Sequence, residues 1–216
     1  MIALLAATTA LAAPHHFTAD VTNPWFPLRP GTTYVHEGKA DGKPVRDVFR
    51  VTRRTKVVDG ARCVVIDDRV YTNGRLSERT TDYYTQDEHG NVWYFGEDTA
   101  ELDSKGRVKS RAGTWRSGVR GARAGVFMPA HPKVGEHHFQ ERARGRAEDE
   151  YRVTRLDATV TVPYGTFHDA LVTHESTRLE PGVKGRKVYA RGVGQILEQA
   201  ITGEQETLAL VRVDKP

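Results

Sequence analysis

The sequence predicts an all-β protein, an antiparallel meander forming a strongly curved sheet or barrel of about ten to twelve strands. Three observations lead there. Turn dipeptides such as Asp41-Gly42, Asp59-Gly60 and Asn73-Gly74 recur along the first half. The segments between them mix Val, Tyr and Thr with charges, as half-buried strands do. No segment sustains apolar residues at i, i+3, i+4 and i+7, so no amphipathic helix is expected.

The strands follow in order. Thr32 to Glu37 alternates around Tyr34 and His36, and Asp41-Gly42 turns it. Val45 to Val58 and Ala61 to Tyr71 are long strands joined at Asp59-Gly60. Asn73-Gly74 is a strong type I′ hairpin signal and leads into Arg75 to Gln86. His89-Gly90 turns into the aromatic strand Asn91 to Phe95, and Ser104-Lys105-Gly106 reads as a further turn. Met128-Pro129-Ala130-His131-Pro132 cannot be a central strand, because proline lacks the ladder donor, and reads as a crossing loop. Strands resume at His137 to Ala143, Glu148 to Leu156, Ala158 to Pro163 and Leu171 to Leu179, with a short helical turn expected over Phe167 to Ala170. Lys184 to Ala190, Gly194 to Gln199 and Glu206 to Val213 complete the set, with turns at Glu180-Pro181-Gly182 and Ile201-Thr202-Gly203.

The first residues, MIALLAATTALAAPHH, carry an apolar run ending in the small-x-small pattern Ala10-Leu11-Ala12. That pattern predicts a signal peptide over 1–13, cleaved near Ala12 or Ala13, and a secreted or extracytoplasmic protein. An extended segment, 14–31, and a single β domain, 32–216, follow. The chain of 216 residues has one cysteine, so no internal disulfide is possible. Apolar neighbours on both sides of Cys63 predict a buried, inert thiol. The net charge of +4 comes from scattered arginines with acids beside them, with no aromatic-interleaved basic ribbon, so nucleic acid is not an expected partner. No apolar run is long enough to span a membrane.

Several stretches are familiar together: NPWFPLRPGTTYVHEG at Asn23 to Gly38, HGNVWYFGEDTAEL at His89 to Leu102, FMPAHPKVG at Phe127 to Gly135, VTVPYGTFHDALVT at Val160 to Thr173, and YARGVGQILE at Tyr189 to Glu198. In these the chain resembles a family of uncharacterised exported β-proteins of actinobacteria and related bacteria. The resemblance implies secretion and carries no activity. More loosely, the opening strand pattern and the VPYGTF and YARGVG turns resemble periplasmic β-proteins of the lipoprotein-carrier kind, whose curved sheet takes acyl chains in its hollow face.

Candidate chemistry centres on carboxylates. Glu97, Asp98 and Glu101 follow the aromatic strand directly, and Glu141 with Glu148, Asp149 and Glu150 sits on an expected hairpin. If Glu97, Asp98, Glu141, Glu148 and Asp149 share one hollow, a pair could act as acid and base, or several could hold a hard cation through oxygens. Exposed strand ends paired with arginine are the alternative. Trp93, Tyr94, Phe95 and Trp115 are the candidate ligand-binding aromatics, with Trp93 and Phe95 on one strand face and Tyr94 on the other. His131, His137 and His138 lack metal-ligand spacing, no nucleophile elbow or phosphate loop occurs, and neither metal nor cofactor is expected. The function expected is a monomeric secreted protein binding a lipid, another amphipathic molecule or a cell-envelope component. The alternatives are a secreted hydrolase or lyase using paired carboxylates, and a structural envelope protein.

Overall fold

The computed structural model describes residues 16–203 and 205–216; the expected leader over 1–13 lies outside the described residues. The first half is the expected meander: β1 (Thr33–Ala40), β2 (Lys43–Val58), β3 (Ala61–Thr72), β4 (Arg75–Gln86) and β5 (Val92–Leu102). Both residues of each tight turn have positive φ: Asp41 and Gly42 at 48° and 74°, Asp59 and Gly60 at 47° and 79°, Asn73 and Gly74 at 52° and 74°. That is the type I′ geometry, which glycine enters freely and Asp or Asn tolerates. The second half is another meander: β11 (Asp149–Val162), β12 (Gly165–Thr177), β13 (Lys184–Ala190), β14 (Gly194–Thr202) and β15 (Glu206–Asp214). β15 pairs antiparallel with β1 and joins the two halves.

Five short strands lie between the meanders. β6 (Val108–Ser110), β7 (Trp115–Arg116) and β8 (Arg123–Met128) all pair with β5. β9 (His137–Phe139) pairs with β11 at one margin of the sheet, and β10 (Glu141–Arg142) pairs with β8 at the other. Only Gln140 separates them, so the chain itself crosses the seam and brings the sheet nearly to closure as a barrel. Gly125 makes that crossing possible: a Cβ there would sit 2.1 Å from the Phe139 carbonyl oxygen.

The fold class is as the sequence predicts, with corrections in detail. The described residues form fifteen strands rather than ten to twelve, because strands of two or three residues exist only through non-local pairing. His137 to Ala143 is split at Gln140, whereas 149–162 is one strand that absorbs its irregularities as register shifts between Val153 and Val160. Phe167 to Ala170 is strand, not helical turn; Asp169 takes a φ of 52°. β5 continues to Leu102, bending at Gly96 with a φ of 131°.

Because the strands are antiparallel, alternate turns lie at opposite ends of the barrel. One end is filled by the segment before β1, whose Val21, Trp25, Phe26 and Leu28 are buried in the main core. Asn23 pins it there, its Nδ2 donating to the carbonyls of Gly90 at 2.9 Å and Pro129 at 3.2 Å. Gly192 N, in the β13–β14 turn, donates to the Pro24 carbonyl at 2.7 Å. A second, smaller core lies on the outer side of β2–β5, where Cys63, Val65, Tyr83 and Phe95 pack with Phe17 and Trp93. Cys63 is buried there as expected, and burial pushes its thiol up to about 12.

Candidate functional site

Side chains two apart on a strand share a face, so the residues that continue an inward apolar series also point inward. On β3 the series Val64, Ile66 continues to Asp68; on β2, Val51 and Phe49 continue to Asp47; on β4, Tyr84 continues to Asp82. These acids are reached after the strand has left the plugged end. His36 on β1 sits opposite Asp47, and Asp82 sits opposite Glu97. The belt continues around the lumen through Glu141, Asp149, Glu175 on β12, Lys187 on β13 and Glu198 on β14, with Lys187 opposite Glu198.

Hydrogen bonds fix several of these groups. His36 Nε2 lies 3.0 Å from the Gln195 carbonyl, which can only accept, so that nitrogen carries a proton. His36 Nδ1 then faces Asp47 Oδ2 at 3.2 Å. Tyr94 Oη donates to Asp82 Oδ1 at 2.6 Å and lies 3.3 Å from Glu97 Oε2. Trp115 Nε1 donates to Glu141 Oε1 at 3.0 Å. Lys187 Nζ is 2.9 Å from Glu175 Oε2 and 3.7 Å from Glu198 Oε1.

Burial and mutual repulsion favour the neutral forms of Asp47, Asp68, Asp82, Glu97 and Glu141. Burial, then the charges of Glu141 and Asp82, pushes Glu97 up to about 10. Burial, then Asp149, pushes Glu141 up to about 8. Asp47 rises to about 6 through burial, although its hydrogen bond with Asp68 acts against the rise. Asp68 rises well above the usual range through burial and the charge of Asp47; Asp82 does so through burial and the charge of Asp68. Burial opposes the Lys187 charge, but Glu175 and Glu198 outweigh it and raise the ammonium further.

Two openings adjoin the belt. An inner cavity of about 160 Å³ lies between the plug and the acids, with Phe26, Phe49, Tyr84 and Phe127 on one side and Asp47 and Asp68 on the other. A cleft of about 430 Å³ at the far end is lined by Asp149, Glu175, Lys187, Glu198 and neighbours. Lys187 and Glu198 border both.

The sequence-derived candidates divide. Glu97, Glu141 and Asp149 come together on the inner wall, as do Tyr94 and Trp115, whose rings meet edge to face at 5.6 Å. Asp98 turns outward, where its Oδ2 accepts from Tyr83 Oη at 2.6 Å and pairs with Arg116. Partial burial pushes Asp98 up, but those hydrogen bonds outweigh it and hold the carboxyl below its usual range. Glu148 caps a turn by accepting from Gly145 N at 2.6 Å. Trp93 donates to Asp87 Oδ2 at 2.8 Å, and Phe95 packs on Phe17 in the outer core. Asp47, Asp68, Asp82, Glu175, Lys187, Glu198 and His36 are the residues that sequence reasoning passed over. Their signal was an ionisable side chain two residues from a buried position on the same strand. Among the described residues no group of three His, Cys, Asp or Glu side chains is arranged to hold a metal ion, and no helix is long and apolar enough to cross a membrane.

The chain is similar in structure to a protein assigned to export, with a YmcC-like fold, from Bacteroides fragilis NCTC 9343. The TM-score is 0.52 at 15% identity, over 88% of this chain and 99% of that one. It is also similar to a protein assigned as a lipoprotein from Parabacteroides distasonis ATCC 8503, with a TM-score of 0.48 at 13% identity, over 89% of this chain and 99% of that one. No protein-family profile matches the chain, and no curated protein does. At such identities the likeness concerns the fold alone.

Proposed function

We propose that this chain, with its YmcC-like fold, is an exported binding protein that takes a polar component of the cell envelope at the acid-lined end of its barrel. The observation that carries this reading is the belt of inward carboxyls beside a cleft of about 430 Å³. A ring of buried acids costs stability, and such perturbed groups in a cleft are where binding or chemistry is to be sought. The apolar end offers less room, because Phe26 and Leu28 of the chain itself fill it. An amphipathic ligand would therefore engage by its polar head. Export rests on the apolar leader over 1–13 and accords with what is assigned to the Bacteroides protein of the same fold.

Native mass spectrometry of the protein isolated from its own envelope tests the reading. A polar, hydroxyl- or amine-bearing adduct that leaves in high salt is the expected result. A fatty acid bound without any such group would overturn it.

One observation favours a second reading, acid/base chemistry. Glu141 is held up to about 8 while hydrogen-bonded to Asp149, the arrangement of a proton donor beside its base. Under this reading Glu141→Gln keeps the adduct but abolishes its turnover; unchanged turnover removes Glu141 from the chemistry.

A further inference from the structure

We propose that the inner cavity is a site for a primary ammonium group on a short alkyl stem. The inference rests on the lumen being a binding site and names the chemistry that it takes. Two features of the cavity point the same way. Its apolar wall is made of aromatic rings: Phe26 and Phe127 lie 4.5 Å apart, Tyr84 is 5.0 Å from Phe127, and Tyr34 and Phe49 close the side at 6.2 Å. Ring faces attract a cation, most strongly away from water. The opposite wall carries two carboxyl oxygens that its own donors, His36, Gln195 and Lys187, do not reach. Asp47 Oδ1 and Asp68 Oδ1 are buried oxygens that no neighbouring donor reaches, so only a proton shared by the two carboxyls serves them. A buried acceptor without a donor is costly, and an ammonium brings three donors and no acceptor.

Size agrees. A cavity of about 150 Å³ accommodates a six-carbon ring, so about 160 Å³ fits a stem of three or four carbons with its nitrogen. A proton held between Asp47 and Asp68 satisfies the pair while the cavity holds no ligand. An incoming ammonium replaces that proton, so binding is coupled to its release. The groups facing the pair are His36 on β1, Glu78 and Asp82 on β4, Glu198 on β14 and the Lys187 ammonium on β13, which Glu175 and Glu198 already pair. Because binding releases a proton, it is favoured as pH rises.

The test is calorimetric titration of the chain with n-butylamine, n-butanol as its neutral counterpart, and tetramethylammonium, which has charge but no N–H donor. Butylamine is expected to bind at least about tenfold tighter than either comparator, and tighter near pH 8 than near pH 5. Asp68→Asn should weaken butylamine by about tenfold or more while thermal stability holds or rises; Asp98→Asn, on the outer wall, should leave it unchanged. Equal binding of butanol, no binding of butylamine to the wild type, or an Asp68→Asn protein that binds as before overturns the proposal. The wild-type selectivity stands even if Asp68→Asn folds poorly. An envelope adduct that survives in Asp68→Asn would leave the binding function intact and refute only the ammonium site.

Discussion

At the plugged end of the lumen, Phe26 packs on Phe127 at 4.5 Å and on Tyr84 at 5.4 Å, with Val51, Ile66 and Leu210 fully buried around them. Toward the other end the same strands, on the same inward face, present Asp47, Asp68, Asp82 and Glu97. The two regions share a backbone and a side-chain period and differ only in residue type. The first gains free energy from apolar burial. The second loses it, because burial disfavours the ionised form that each acid takes in water. The acid half therefore depends on the apolar half for its stability. Its residues make sense as a site rather than as packing.

The largest effect expected at the apolar end is from Phe26→Ala. It removes a buried ring that no neighbour can replace, and should lower stability by about 3–5 kcal/mol. The loss should be nearly the same near pH 5 and near pH 8, since no titratable group is involved. Urea denaturation at both values checks this. A loss confined to one pH would mean that plug and acids are not separable.

At the acid end the sign reverses. Glu97 ionises near 10 in the folded chain against an ordinary value of 4.5, so between those limits the folded state holds a proton that the unfolded state has lost. Unfolding therefore becomes easier as pH rises through that window. Glu97→Gln keeps the shape and removes the penalty. It should stabilise the protein by about 1–3 kcal/mol near pH 8 and leave it almost unchanged near pH 4. The wild type itself should melt highest in mild acid. A melting temperature that climbs from pH 5 to pH 8 would contradict the raised acids altogether.

How much of this was legible in the sequence follows from how local each feature is. The hairpins were, since Asp-Gly and Asn-Gly sit at positions needing two positive φ angles in a row. The closure of the sheet was not: β9 and β10 gain their identity from partners on opposite margins, β11 and β8. The site was legible in part. Glu97 stood out beside the aromatic strand and Glu141 on an expected hairpin, but their meeting depends on β8 and β10 extending the sheet past β5. Asp98 looked equivalent to Glu97 because the bend at Gly96, which sets their faces, is invisible as spacing. Asp68 carried a readable mark, an acid two residues after Ile66 and four after Val64, both core positions. That mark predicts an inward face; which acids from other strands lie beside it depends on ladder order.

Glu97 and Asp98 also give the finest division between inside and outside, since they are neighbours in the chain on opposite sides of one wall. Asp98 lies below its ordinary range, held by Tyr83 and Arg116 after partial burial has been overcome. A depressed acid contributes stability that is present above its unfolded value and fades as pH falls through its folded value. Its side chain is 33% exposed, and solvent screening keeps the contribution small, so Asp98→Asn should cost about 1 kcal/mol or less near neutrality. That cost should shrink toward pH 3, whereas the gain from Glu97→Gln should grow toward pH 8. Denaturation of the two variants across pH measures both slopes. Slopes of the same sign would mean that the Gly96 bend does not separate an outer structural acid from an inner one. Opposite slopes one residue apart would locate the boundary of the site within the thickness of a single strand.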